Sequence, residues 1–206
     1  MFYNGGVKSK LLLMKRERFI TAEHEAQELS KKLPQLFRVD TDEIVKLVQT
    51  QTKYNIRVYS TDFSQFKLNG LSDCGGLISV VKKKSGAERG EAIIYLNSSN
   101  STEMMRFSLM HEIGHLVMFD VDKLSEGKTL VSAQINADIT YLSDSIIGGN
   151  KYLEAEQAAN IFALTILMPK ELFLAASRAY TIDKLANLFG VTKEAVISRY
   201  MMLGAE

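Results

Sequence analysis

Residues 104–118 read Met-Met-Arg-Phe-Ser-Leu-Met-His-Glu-Ile-Gly-His-Leu-Val-Met. Wound as a helix, this stretch is apolar almost all round, so it belongs inside a core. Its polar exceptions are Arg106 and the set Ser108, His111, Glu112 and His115. That set falls at i, i+3, i+4 and i+7, which is one stripe along the helix. A buried polar stripe is costly unless something meets it. The fold must therefore wrap this helix and bring a polar or charged partner to one side of it. A chain of 206 residues, 46% hydrophobic and 24% charged, can bury such a core as one domain, or one domain with a small appendage.

His111-Glu112-Ile113-Gly114-His115 has the HExxH spacing. Positions i and i+4 share a helix face, so both imidazoles can reach one metal ion, and the glutamate between them can accept a proton from water. The alternative is a pair of satisfied core histidines. Asn100 and Glu103 give a capping-box spacing that starts the helix. The metal this arrangement suits is zinc, which takes three protein ligands in catalytic sites. The donor supply is short. There are three histidines and one cysteine, Cys74, so no disulfide framework and no cysteine zinc site can form. His24 lies in a charged helix and reads as a surface residue. The third ligand is then expected to be a downstream carboxylate.

Residues 154–169, EAEQAANIFALTILMP, form a second strongly apolar helix stopped by Pro169. Glu156 and Asn160 lie four apart on one face of it. Glu156 is read as the third ligand, with Asn160 hydrogen-bonded to the outer nitrogen of a ligand histidine to hold its tautomer. The competing reading makes Glu156 a first-turn acid favoured by the helix dipole and Asn160 a packed amide.

The rest of the chain reads as α+β. A polar helix is expected over 16–33, ended by Pro34, after a loosely ordered start at 1–14 in which Met14 is an alternative initiator. Asp40 and Glu43 cap a helix running to about Thr52, and Asn55 to Ser60 alternates like a strand. Residues 77–96 read as a hairpin through a turn that contains Lys82, Lys83 and Lys84, taken as a solvated turn. Cys74, beside Gly75-Gly76, reads as a turn residue. The expected fold is a small mixed or antiparallel sheet packed on the buried HExxH helix, followed by helices. The apolar run at 11–14 is too short for a signal-peptide core or a membrane span, and with a single thiol this points to the cytoplasm.

The residues 106–116 resemble the "RF-x-x-x-HE-x-GH" helix of the ImmA/IrrE family of metallopeptidases. Glu156-x-x-Ala159-Asn160-x-Phe162-Ala163, with Leu167-Met168-Pro169 after it, resembles that family's second block, "E-x-x-AN-x-FA…LLMP". Residues 92–97 look like its "I-x-x-N" strand. The resemblance covers about 40–200. It implies zinc held by His111, His115 and Glu156, with Glu112 as general base and Asn160 beside a ligand. It also implies a gluzincin-like fold whose strand at 92–97, with Ile94, Tyr95 and Leu96, offers an edge to an extended peptide. The implied substrate is a protein, a transcriptional repressor of a phage or mobile element. Ala158 departs from the family, which often has an acid or Gln there, but that position is not a ligand. Residues 121–150 look like an insertion, a surface loop or short hairpin near the cleft. The domains expected are an N-terminal extension and helix at 1–40, a metallopeptidase domain at 41–170 and a C-terminal helical segment at 171–206.

Tyr141, Tyr152 and Tyr180 are the candidates for a second oxyanion donor. Ala186, Gly190 and Thr192 give the C-terminal segment a helix-turn-helix pattern, with Thr192 capping the second helix. That pattern suits either a DNA reader or a scaffold that docks a repressor. Its second helix offers only Lys193 and Arg199 as cations, and the whole chain carries a formal net charge of +1, which weighs against DNA. Two function classes follow. One is a zinc endopeptidase acting on a specific protein. The other is a metal-binding regulator that binds a repressor or DNA without cutting. The intact Glu112 favours the first.

Overall fold

The computed structural model describes residues 5–52, 54–65, 75–81, 88–118, 129–130 and 150–204. The Lys82–Lys84 turn, Cys74, Tyr141 and nearly all of 121–150 lie outside these residues, as does the side chain of Tyr152.

Two helices open the chain. α1 (Gly5–Ser30) takes in most of the start expected to be loose. No proline or glycine falls between Val7 and Ser30, so nothing in the sequence stops the helix from propagating towards the N-terminus. Nor is α1 polar all round. Ala22, Ala26 and Leu29 are buried, with Phe19 packed beside them, a narrow apolar stripe at helical spacing. α2 (Thr41–Gln51) starts as expected at Asp40, whose carboxylate accepts the Asp42 N–H at 2.8 Å, and it buries Ile44 and Val48.

The described residues include the strands β1 (Tyr54–Thr61), β2 (Gly76–Val81), β3 (Gly90–Asn97) and β4 (Thr129–Leu130). They form one mixed sheet in the order β1-β3-β2-β4. β2 and β3 pair antiparallel, with Leu77 opposite Tyr95, as the hairpin reading requires. β1 pairs parallel with β3, Ile56 opposite Ala92. This corrects one expectation. β3 is an inner strand with both edges hydrogen-bonded, so residues 92–97 offer no edge to a peptide. Ile94 and Leu96 are core residues, 0% and 7% exposed. Tyr95 faces the other side of the sheet, stacked on Tyr59 with ring centroids 5.8 Å apart. A hairpin is visible in a local reading. A parallel partner that arrives from the distant segment before β2 is not.

Among the described residues, five helices, α3 to α7, complete the fold. α3 (Thr102–Met118) is capped by Ser101, one residue after the expected Asn100; the Ser101 hydroxyl accepts the Met104 N–H at 3.2 Å. α4 (Asn150–Leu167) and α5 (Lys170–Ser177) meet at Pro169 with a 67° bend, because proline cannot continue the hydrogen-bond ladder. α6 (Ile182–Phe189) ends at Gly190 in the left-handed conformation, φ 63°. α7 (Lys193–Leu203) begins at Thr192, whose hydroxyl accepts the Ala195 N–H at 3.2 Å.

The main core cluster centres on α3, and a small second cluster of Phe63 and Leu77 lies on the other side of the sheet. Phe107, Met110 and Ile113 of α3 share a cluster with Ile78, Ala92 and Ile94 of the sheet and with Phe162, Ala163 and Ile166 of α4. α3 is thus held between the sheet and α4, and α1 lies along α4. Among the described residues no single helix is long and apolar enough to cross a membrane.

Candidate metal centre

α3 and α4 lie unusually close where the site forms. A Cβ at Gly114 would stand 3.2 Å from Ala159 Cα and 3.2 Å from Phe162 Cβ. The glycine of the HExxH motif therefore makes room for the facing helix. That close approach carries Glu156 and Asn160 to the polar stripe of α3.

The result is a tight convergence. His111 Nε2 and His115 Nε2 are 3.1 Å apart. Glu156 Oε2 lies 3.1 Å from His111 Nε2, and Glu156 Oε1 lies 3.2 Å from His115 Nε2. Both rings are buried, and Glu156 nearly so. Asn160 Oδ1 stands 2.8 Å from His111 Nδ1, so it accepts the Nδ1–H and leaves Nε2 as a lone pair in the neutral ring. The other ring nitrogens and the carboxylate add further lone pairs. Two imidazoles and a carboxylate at these distances need a shared positive charge between them.

The titration directions agree. Burial pushes the His111 imidazole towards neutrality, but the hydrogen bond and charge of Glu156 outweigh it and raise the pKa above 6.5. Burial, aided by the neighbouring His111, lowers that of His115. Burial opposes the Glu156 charge, yet its two histidine partners hold the carboxyl well below the usual range.

These three side chains are the group of His, Cys, Asp and Glu residues able to hold a metal ion among those described. Zinc bonds of about 2.0–2.1 Å in a tetrahedron set donors about 3.3 Å apart. The observed separations of 3.1–3.2 Å match, so the residues fit the metal.

Glu112 is fully buried on the next position of α3 and close enough to His111 to help raise its pKa. Its carboxylate lies against the start of β2, at Gly76. Arg106, the other polar exception of α3, is not part of the cluster. Its Nε donates to Gly190 O at 3.0 Å and its Nη2 to Val39 O at 2.9 Å, so it clamps two loops onto α3. His24 is on the surface, 64% exposed. Tyr180 is exposed in the turn between α5 and α6. Sequence reading missed the roles of Gly76 and Gly114. Glycine at either position carries a spatial meaning only once its neighbour is known.

The model of one protein family, Peptidase M78, described as the IrrE N-terminal-like domain, matches residues 51–201. The chain belongs to the Peptidase M78 family. The match agrees with the resemblance drawn from the two helical blocks. It runs from the last residue of α2 through the sheet, both site helices and most of α7, and it leaves out α1. The family is one of metallopeptidases, and His111, His115 and Glu156 form a group able to hold a metal ion. No curated protein matches the chain.

Proposed function

We propose that this protein is a zinc-dependent endopeptidase that cuts a specific protein in the cytoplasm, the expected substrate being a transcriptional repressor of a phage or mobile element. The observation that carries the reading is the convergence of His111, His115 and Glu156 beside a buried Glu112. His111, His115 and Glu156 would hold the zinc, in a gluzincin-like arrangement. When bound, zinc supplies a Lewis acid that polarises the peptide carbonyl and acidifies water. Glu112 takes a proton from the attacking water and delivers it to the leaving amine nitrogen. Asn160 keeps His111 in the tautomer that presents Nε2. Burial of His111, Glu112 and His115 strengthens the electrostatics of the site by excluding water.

The repressor as substrate follows from the family resemblance. We assign catalysis to 41–170, with 1–40 as an extension and 171–206 as a docking or scaffold segment. Two features of α7 support docking over DNA reading. Lys193 ion-pairs with Asp183. Arg199 is fully buried and donates to Met168 O and to the Thr165 hydroxyl. The second helix therefore presents only Lys193, beside a carboxylate, as an exposed cation for phosphate.

The test is co-expression of wild type and Glu112→Gln with the repressor encoded beside the gene. A cut that disappears in Glu112→Gln, from protein that carries about one zinc per chain, supports the reading. Purified protein without stoichiometric metal, or full cleavage by Glu112→Gln, overturns it. Relief of repression that survives in Glu112→Gln would assign the protein to the non-cleaving class.

A further inference from the structure

We infer that Gly76, the first residue of β2, sets the position of the Glu112 carboxylate; the functional weight of this rests on the reading of Glu112 as proton acceptor. A Cβ at position 76 would stand 3.2 Å from Glu112 Cγ, 3.2 Å from Glu112 Oε1 and 3.4 Å from Tyr95 O. The first two separations lie inside ordinary van der Waals contact. Backbone conformation does not call for glycine here. Among the described residues the positive-φ glycines are Gly190 and Gly204. Glycine also weakens a strand, so it runs against local propensity at this position. What position 76 requires is the absence of a side chain.

Neither backbone can retreat to make room. β2 is locked to β3 with Gly76 opposite Leu96 and Leu77 opposite Tyr95. The Asn97 N–H donates to Gly75 O at 3.0 Å, which extends that lock by one residue. On the other side α3 is fixed by the buried Met110 and Ile113 in the shared core. The movable part is the Glu112 side chain. A methyl group at 76 makes the Glu112 carboxylate give way by a few tenths of an ångström, which shifts it from its place beside His111. Gly76 is therefore a positioning residue, acting through Glu112 and not on substrate.

Two measurements on the full chain test this. The first is the urea midpoint of Gly76→Ala, Glu112→Ala and the double variant. Gly76→Ala is expected to lower the midpoint when Glu112 is present and to leave it unchanged or raise it in the Glu112→Ala background, where the obstructing atoms are gone. An equal loss in both backgrounds overturns the inference, and the double variant remains informative even if Gly76→Ala alone fails to fold. The second is peptidase kinetics on a cleaved substrate. Gly76→Ala is expected to lower kcat about tenfold or more with KM and zinc content unchanged, the mark of a misplaced catalytic group. A loss confined to KM, or an unchanged kcat, overturns it. If the wild type cuts nothing, the functional reading has failed, and the stability cycle still decides whether Gly76 places the carboxylate.

Discussion

At the scale of single residues, the centre works by pairing each polar group with a reason to be buried. Asn160 is half-buried on an apolar helix because His111 needs its Nδ1–H held at 2.8 Å. Asn160→Ala removes that hold. Outer partners of ligand histidines typically contribute 10–100-fold to metal affinity, so a loss of roughly that size is expected in a competition titration against a chromophoric chelator. Metal affinity should also depend on pH with a definite sign. Glu156 raises the pKa of metal-free His111 above 6.5, so the ring is more protonated than an ordinary histidine as pH falls. That proton occupies the place of the cation, and binding must displace it. Affinity is expected to fall steadily as pH drops through and below the neutral range, read by the same titration between about pH 8 and pH 5.5.

At the scale of elements, the decisive contact is α3 against α4 at Gly114. Gly114→Val would drive a branched side chain into Ala159 and Phe162, which stand 3.2 Å from a Cβ there. Overpacking of this kind costs about 1–3 kcal/mol. The same wedge parts Glu156 from the two histidines, so thermal denaturation and metal titration should report the damage together. The four polar residues of the centre were legible in sequence because each breaks the pattern of an apolar helix. His111 and His115 stand at i and i+4, and Glu156 and Asn160 repeat the spacing on the second helix. The hairpin of β2 and β3 was legible because its two strands are neighbours in the chain. The parallel pairing of β1 was hidden, and with it the fact that β3 has no open edge. Gly76 and Gly114 were hidden for a related reason. A missing side chain leaves no local pattern, and its purpose is written in residues far along the chain.

At the scale of the molecule, the metal centre depends on parts that never touch it. α1 lies outside the family match, which begins at residue 51, yet it covers one face of α4 with Ala22, Ala26 and Leu29. Removing residues 1–30 takes away the burial of these side chains and bares the face of α4 they cover. The loss from those three side chains alone is about 3 kcal/mol, with the bared face of α4 adding to it. A truncated chain should show a clearly lower urea midpoint and bind zinc more weakly, since α4 carries Glu156. Arg106 works at the same scale, joining the approach to α2 and the turn after α6 to the helix that bears both histidines.

The split of the ligands between α3 and α4 also has a temporal side. Proteins are made from the N-terminus at about 5–20 residues per second, and domains settle as their parts emerge. His111 and His115 leave the ribosome with β1, β2 and β3 already made, but Glu156 waits for a further stretch of synthesis. During that interval a nascent chain offers the two imidazoles without Glu156, and with the far side of α3 uncovered. Tight metal capture must await α4. The order of synthesis thus keeps the centre unfinished until most of the chain has been made.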